Sequence, residues 1–358
     1  MTIIRGLSCV TPPFILTRLL ESDNPEIREA ALSTLVTTAQ LQGERSVRGL
    51  IAGAMAVSED GRRSIYDCRH STFLPLAKLR RSEGGKAVSD QSVNRAYDGF
   101  GDTRTFYRDV FQRDSIDGRG MRLRGYVHRG NRYNNAFWDG QEMVFGDGDG
   151  QVFTDFTGSL DVIAHELGHG ITEHTAGLEY RNQSGALNES LSDVAGAMVK
   201  QWKLQQTADQ ADWLIGAEVF TPNIDADALR SMKAPGTAFD NKLFGRDPQP
   251  DHMDRYVELP DTPDGDNGGV HINSGIPNKA FYLVATGIGG FCWDAPGHIW
   301  YESLKASTST TEFQEFADTT YHKAEEIYGS GSNEQQVVKD AWAEVGIQVT
   351  TTPTIGRR

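Results

Sequence analysis

Residues 161–177, DVIAHELGHGITEHTAG, decide how the rest of the chain is read. His165 and His169 stand four apart with Glu166 just after the first, and positions four apart share one face of a helix. Both imidazoles can then reach one metal ion, with Glu166 beside a water that the metal would hold, the geometry of a hydrolytic zinc helix. Val162, Ile163 and Ala164 make the segment apolar just before the motif, so a buried helix is predicted. Two histidines and a glutamate without partners would be costly there, and a zinc ion removes that cost by accepting their lone pairs.

A catalytic zinc has three protein ligands and an open fourth position. The third comes from the next helical stretch, where residues 186–193 read ALNESLSD. Glu189 completes a two-histidine, one-glutamate set. Asp193, one turn later on the same face, can accept the free ring N–H of a liganding histidine.

The surroundings agree with an ordinary globular enzyme. The chain has 358 residues, 38% hydrophobic and 23% charged, which is enough for more than one packed unit. A formal charge of −14 argues against nucleic acid as a partner, because such binding needs cations that displace counterions. No run of about eighteen apolar residues occurs, so no membrane span is predicted. The first twenty-odd residues lack the continuous apolar stretch of a secretory signal, which leaves cytoplasmic residence or export by a non-standard route. Cys9, Cys68 and Cys292 are three and far apart, so a disulfide framework is not expected.

Three units are expected along the chain: 1–62, 63–185 and 186–358. In the first, Asn24-Pro25-Glu26 has the cap, first-turn proline and carboxylate of a helix start, and an amphipathic helix follows. The polar, glycine-containing residues 56–64 predict an exposed linker open to proteolysis. Short alternating and aromatic segments between residues 65 and 156 predict a β-rich half, and helices are predicted from residue 160 onward.

Several ordered blocks, residues 96–111, 133–150, 161–193, 228–232 and 266–285, resemble the thermolysin-like metallopeptidases. The resemblance implies an α+β fold with a β-rich N-terminal lobe, a central zinc-motif helix, a helical C-terminal lobe and a cleft between the lobes. It implies a zinc endopeptidase acting on peptide or protein substrates. One catalytic Zn2+ would be held by His165, His169 and Glu189, with Glu166 as the general base. Tyr180 and His271 would stabilise the oxyanion, and Asp266 would orient His271. Asn135 and Ala136 match the edge-strand residues that bond the substrate backbone, and Arg230 the arginine that holds the carbonyl beyond the scissile bond. Phe153, Phe156, Val162, Ile215 and Leu229 match the lining of the pocket for the residue after the cut, so cleavage before large apolar residues is expected.

Two departures stand out. Where calcium-binding relatives carry acidic ligands, this chain has Lys200, Leu214 and Ala217, so the double calcium site is expected to be absent and Asp161 to act as a helix cap. At the front, Pro12-Pro13-Phe14 resembles the short-propeptide branch of the family, in which a diproline element occupies the cleft and inhibits the precursor. An extended chain from there puts Cys9 about 10 Å further on, where its thiolate could cap the zinc or simply be a small buried residue. An inactive peptide-binding relative would have lost Glu166 or a ligand, and a structural zinc site would use four ligands, often cysteines; neither applies to the motif.

Overall fold

The computed structural model describes residues 8–52 and 63–351. The N-terminal segment forms β1 (Ser8–Cys9), α1 (Pro13–Leu19) and α2 (Pro25–Ala52). Then come β2 (Arg63–Asp67), β3 (Lys78–Ser82), α3 (Gln91–Phe111), β4 (Leu123–Val127), β5 (Ala136–Trp138) and β6 (Met143–Phe145). Helices α4 (Leu160–Glu173) and α5 (Asn182–Leu204) lead to the short pairs β7 (Leu214–Ile215) with β8 (Arg230–Ser231) and β9 (Asp240–Asn241) with β10 (Gly245–Arg246). The C-terminal half closes with α6 (Asp266–Asn273), α7 (Gly275–Ile288), α8 (Ala295–Ala306), α9 (Phe313–Tyr328) and α10 (Asn333–Glu344).

Six strands make one mixed sheet in the order β1-β5-β6-β4-β2-β3, with β4 parallel to both β2 and β6. The β-rich half also contains a long helix, α3, which the reading of residues 65–156 as strands and turns did not expect. Its apolar residues Val93, Ala96, Tyr97, Phe100, Phe106, Tyr107 and Phe111 recur at helical spacing and are buried. Asp90 caps it by accepting the N–H groups of Ser92 and Val93.

Helix α4 lies between the two halves, packed on β5 and α3 on one side and on α5 on the other. Glycines make that second contact close. A Cβ on Gly168 would lie 3.0 Å from Ser192 Cα, and one on Gly196 would lie 2.7 Å from the Asp161 carbonyl oxygen. The two helices that carry the proposed ligands therefore approach nearly backbone to backbone.

The N-terminal segment holds the body in two ways. Its first strand adds to the free edge of β5, with Ser8 opposite Trp138 and Cys9 opposite Phe137. Helix α2 lies on the loop before β5, where Thr34 Oγ1 accepts the Asn134 N–H at 3.0 Å and Thr38 pairs with the Tyr133 hydroxyl at 3.1 Å. Asn24 Oδ1 accepts the Glu26 N–H at the start of α2, as the cap reading expects. Residues 53–62, which hold most of the expected linker, lie outside the described residues; Arg63 and Ser64 already belong to β2.

Pro13 begins α1, where its missing N–H costs nothing, and the residues bonded along β5 are Ser8–Thr11, just ahead of the diproline. One expectation changes. Asp161 sits in the first turn of α4 but is not its cap; Ser159 holds that position, and Asp161 accepts the Gly216 N–H and the Lys200 ammonium.

Candidate active site

The two motif histidines point their Nε2 atoms at each other, 3.1 Å apart, on the buried face of α4. Their Nδ1 atoms both face oxygen, although only that of His169 makes a well-aligned hydrogen bond. His165 Nδ1 lies 2.8 Å from Asp193 Oδ1. His169 Nδ1 lies 2.8 Å from Asn188 Oδ1 and 3.0 Å from Ser192 Oγ, whose own proton goes to the Asn188 carbonyl. With an oxygen facing each Nδ1, the ring protons are assigned there, and burial lowers the pKa to about 4 for His165 and about 3 for His169. Two bare lone pairs face each other in a dry site, which only a shared cation makes favourable.

Glu189 supplies the third group. Its oxygens lie 3.6 Å from His165 Nε2 and 3.4 Å from His169 Nε2, and Glu189 Oε2 is buried with no hydrogen-bond partner among the described residues. A tetrahedral zinc with bonds of about 2.0–2.1 Å spaces its ligand atoms about 3.3–3.4 Å apart, so this donor set fits zinc. Glu166 also has a carboxylate within 4.8 Å of both imidazoles. Its Oε2 accepts the Trp138 N–H at 2.9 Å, which ties it to β5 beside the two imidazoles. Burial first, and the nearby Glu189 second, raise the Glu166 pKa well above the usual carboxylate range.

On the far side of the cleft Tyr180 donates to Glu189 and lies 3.2 Å from His271 Nε2. Asp266 accepts from His271 twice, at Nδ1 (2.5 Å) and at the backbone N–H (2.9 Å). Burial would lower the His271 pKa, but the Asp266 and Glu189 carboxylates outweigh it and push it up to about 9.

Prosegment residues run between these walls. The Cys9 carbonyl oxygen is 2.9 Å from His271 Nε2. Val10 donates its N–H to the Ala136 carbonyl at 3.2 Å and accepts from Arg230 Nη1 at 3.0 Å. The Thr11 N–H reaches Asn135 Oδ1 at 3.0 Å. The Cys9 side chain turns away from the metal ligands into a separate apolar cluster with Cys68, Leu74, Tyr126, Tyr133, Phe137 and Val144. A thiolate cap on the zinc is therefore not what this structure contains; successive side chains of a strand leave on opposite faces, and Cys9 faces the sheet side.

Arg230 is buried and forks onto Asp193 with two bonds of 2.8 Å. Asp193 thus links His165, Arg230 and Asn278, and these cations and donors outweigh burial to hold its pKa below the usual range. Phe153, Phe156, Val162, Ile215 and Leu229 are all buried in the main apolar core, which also contains Val10. Three contributors escaped the sequence reading: Asn188, the backbone N–H of Trp138, and Thr34 behind Asn134. Asn188 was within reach of it, since it lies beside Glu189 on α5.

At the start of α4 lies a second polar cluster, centred on Lys200. Lys200 Nζ lies 3.1 Å from Asp161, 3.4 Å from Asp212, 3.8 Å from Glu218 and 3.4 Å from the Leu214 carbonyl oxygen. Burial would lower the lysine pKa, but the carboxylates outweigh it and hold the ammonium above its usual range.

Comparison with known proteins gives one answer. Residues 56–173 match the thermolysin metallopeptidase catalytic domain and residues 176–347 the thermolysin metallopeptidase alpha-helical domain. An extracellular metalloprotease of Pectobacterium carotovorum subsp. carotovorum is 47% identical over 347 residues, covering 96% of this chain and 98% of that protein. Protease PrtS of Photorhabdus sp. (strain Az29) is 43% identical, covering 94% of this chain and 91% of that one. Among solved structures, the precursor of protealysin from Serratia proteamaculans superposes with a TM-score of 0.85 at 46% identity, covering 95% of this chain and 99% of that one.

Proposed function

We propose a division of labour within the cleft, on the premise that the chain belongs to the thermolysin family of metallopeptidases and is the precursor of a zinc-dependent neutral endopeptidase. His165, His169 and Glu189 hold the zinc, oriented by Asp193 and Asn188 behind the two imidazoles. Zinc bound there supplies a Lewis acid that polarises the substrate carbonyl and acidifies a water. Glu166, fixed by the Trp138 N–H, takes the proton of the attacking water and passes it to the leaving nitrogen. His271 and Tyr180 donate to the carbonyl oxygen as it gains charge, with Asp266 holding the His271 ring.

The substrate backbone lies along β5 on Asn135 and Ala136, and Arg230 holds the carbonyl after the scissile bond. The apolar residues Phe153, Phe156, Val162, Ile215 and Leu229 select a large apolar side chain at that position. Prosegment residues Ser8–Thr11 use the same groups, so the precursor is autoinhibited by occupation of its own cleft. Lys200 takes the place of the double calcium site.

The observation that carries this reading is the pair of lone pairs 3.1 Å apart with Glu189 at zinc-ligand spacing. Glu166→Gln in the mature enzyme should keep one zinc per chain by elemental analysis while peptide turnover falls roughly 10²–10⁴-fold. Turnover near that of the parent would remove Glu166 from the role of base.

A further inference from the structure

The prosegment's hydrogen bonds fix a direction and a register as well as a location. Three consecutive residues are engaged in order: the Cys9 carbonyl at 2.9 Å from His271 Nε2, the Val10 carbonyl at 3.0 Å from Arg230, and the Thr11 N–H at 3.0 Å from Asn135 Oδ1. Of the peptide groups here, Cys9–Val10 is the one whose oxygen meets His271 Nε2 while its nitrogen donates to the Ala136 carbonyl at 3.2 Å, two residues before the Trp138 N–H that holds Glu166. The Val10 side chain is fully buried in the apolar core, and α1 begins three residues on, at Pro13. A peptide that merely blocked the entrance would not need its carbonyl on His271 and its next carbonyl on Arg230.

We infer that the Cys9–Val10 peptide bond is held as a scissile bond, and that the precursor's own cleft hydrolyses it to release residues 1–9. This rests on the roles given above to Glu166 and His271. Water is the only co-reactant. Its oxygen bonds to the Cys9 carbonyl carbon as Glu166 takes one of its protons. The carbon–nitrogen bond then breaks with its electron pair on the Val10 nitrogen, and Glu166 delivers the proton there. The second proton of the water passes from the new carboxyl group to the amine, so the products are a Cys9 carboxylate and a Val10 ammonium, with nothing oxidised or reduced.

The cut does not by itself free the cleft. Ile15, Leu16 and Leu19 of α1 remain buried, and Thr34 and Thr38 of α2 still hold the Tyr133–Asn134 backbone and hydroxyl. The new N-terminus at Val10 stays tethered on Arg230 and Asn135, so a nicked precursor remains latent until the rest of the segment is removed.

Zinc-loaded precursor, followed by intact mass and N-terminal sequencing, should lose residues 1–9 and gain a Val10 N-terminus at a rate independent of protein concentration. Glu166→Gln should not be nicked, and Val10→Asp, which places a charge in the apolar pocket, should be nicked roughly tenfold more slowly or less. A readout without turnover comes from the Glu166→Gln background, where adding Val10→Asp should speed amide exchange along β5. An intact Cys9–Val10 bond in a precursor whose mature form hydrolyses peptides would overturn the inference and leave the enzyme reading standing. Equal nicking of Val10→Asp, or unchanged exchange on β5, would overturn the register. A mature form that hydrolyses no peptide would instead overturn the roles on which the inference rests.

Discussion

Two polar clusters lie along α4 and α5, one helical turn apart, and they differ in where their positive charge comes from. At the start of α4, Asp161 is matched by an ammonium of the chain's own, Lys200, which also draws in Asp212 and Glu218. One turn on, His165 and His169 bring two lone pairs and Glu189 a carboxylate oxygen that has no partner among the described residues. The first cluster is complete as translated. The second becomes favourable only when a cation enters from outside, and the different demands follow from proton placement rather than from acid content. A lysine fills a hole in an acidic cluster, while imidazoles fixed by Nδ1–H donation present acceptors that no neighbouring donor satisfies.

The comparison breaks most visibly at the zinc side. His169→Ala should reduce bound zinc from one per chain to near zero and lower peptide hydrolysis by about three orders of magnitude or more. Retention of stoichiometric zinc by this variant would show that the facing imidazoles are not the metal seat.

A smaller effect, on stability, is expected at the other cluster. Lys200→Met leaves the buried Asp161 carboxylate without its counter-charge and should cost about 3–5 kcal/mol in urea unfolding. Millimolar calcium should leave the melting temperature of the parent unchanged but raise that of the variant, because three carboxylates then lack a cation. A variant as stable as the parent would mean that Lys200 is an ornament of the surface and the contrast between the clusters is empty.

The least of the three sharpens the contrast with a histidine that needs no metal. His128 is clamped between Asp147 at 2.7 Å and Asp90 at 3.0 Å, and these carboxylates, Asp147 foremost, push its pKa up to about 9 against the effect of burial. The folded pKa is raised above the unfolded value, so its stabilisation is full below about pH 6.5 and fades as pH rises through about 9. After discounting for partial exposure, His128→Asn should cost about 1–2 kcal/mol at pH 6 and little at pH 10. A cost that does not change with pH would assign His128 a packing role alone.

What the sequence by itself determined is what helical spacing encodes. His165, Glu166 and His169 are brought together by a period of 3.6 residues, and Glu189 with Asp193 by the same period on the next helix, so their juxtaposition was written in their separation. Lys200 in place of an acidic residue was legible from the family resemblance rather than from spacing. The helix α3 was equally periodic, at Val93, Ala96, Phe100 and Phe106, and was passed over because the glycines and aromatics around it suggested turns. Only the tertiary structure decided which prosegment residues enter the cleft. The diproline drew attention to Pro12–Phe14, and the residues paired with β5, Arg230 and His271 are Ser8–Thr11, just ahead of it. Strand addition is made by backbone N–H and C=O groups that nearly every residue possesses, so its register leaves no mark in the choice of side chains. The Trp138 N–H that fixes Glu166 and the Asn134 N–H held by Thr34 escaped for that reason too. They are contacts between the backbone and residues 28 and 100 positions away, set by how the elements pack rather than by any local pattern.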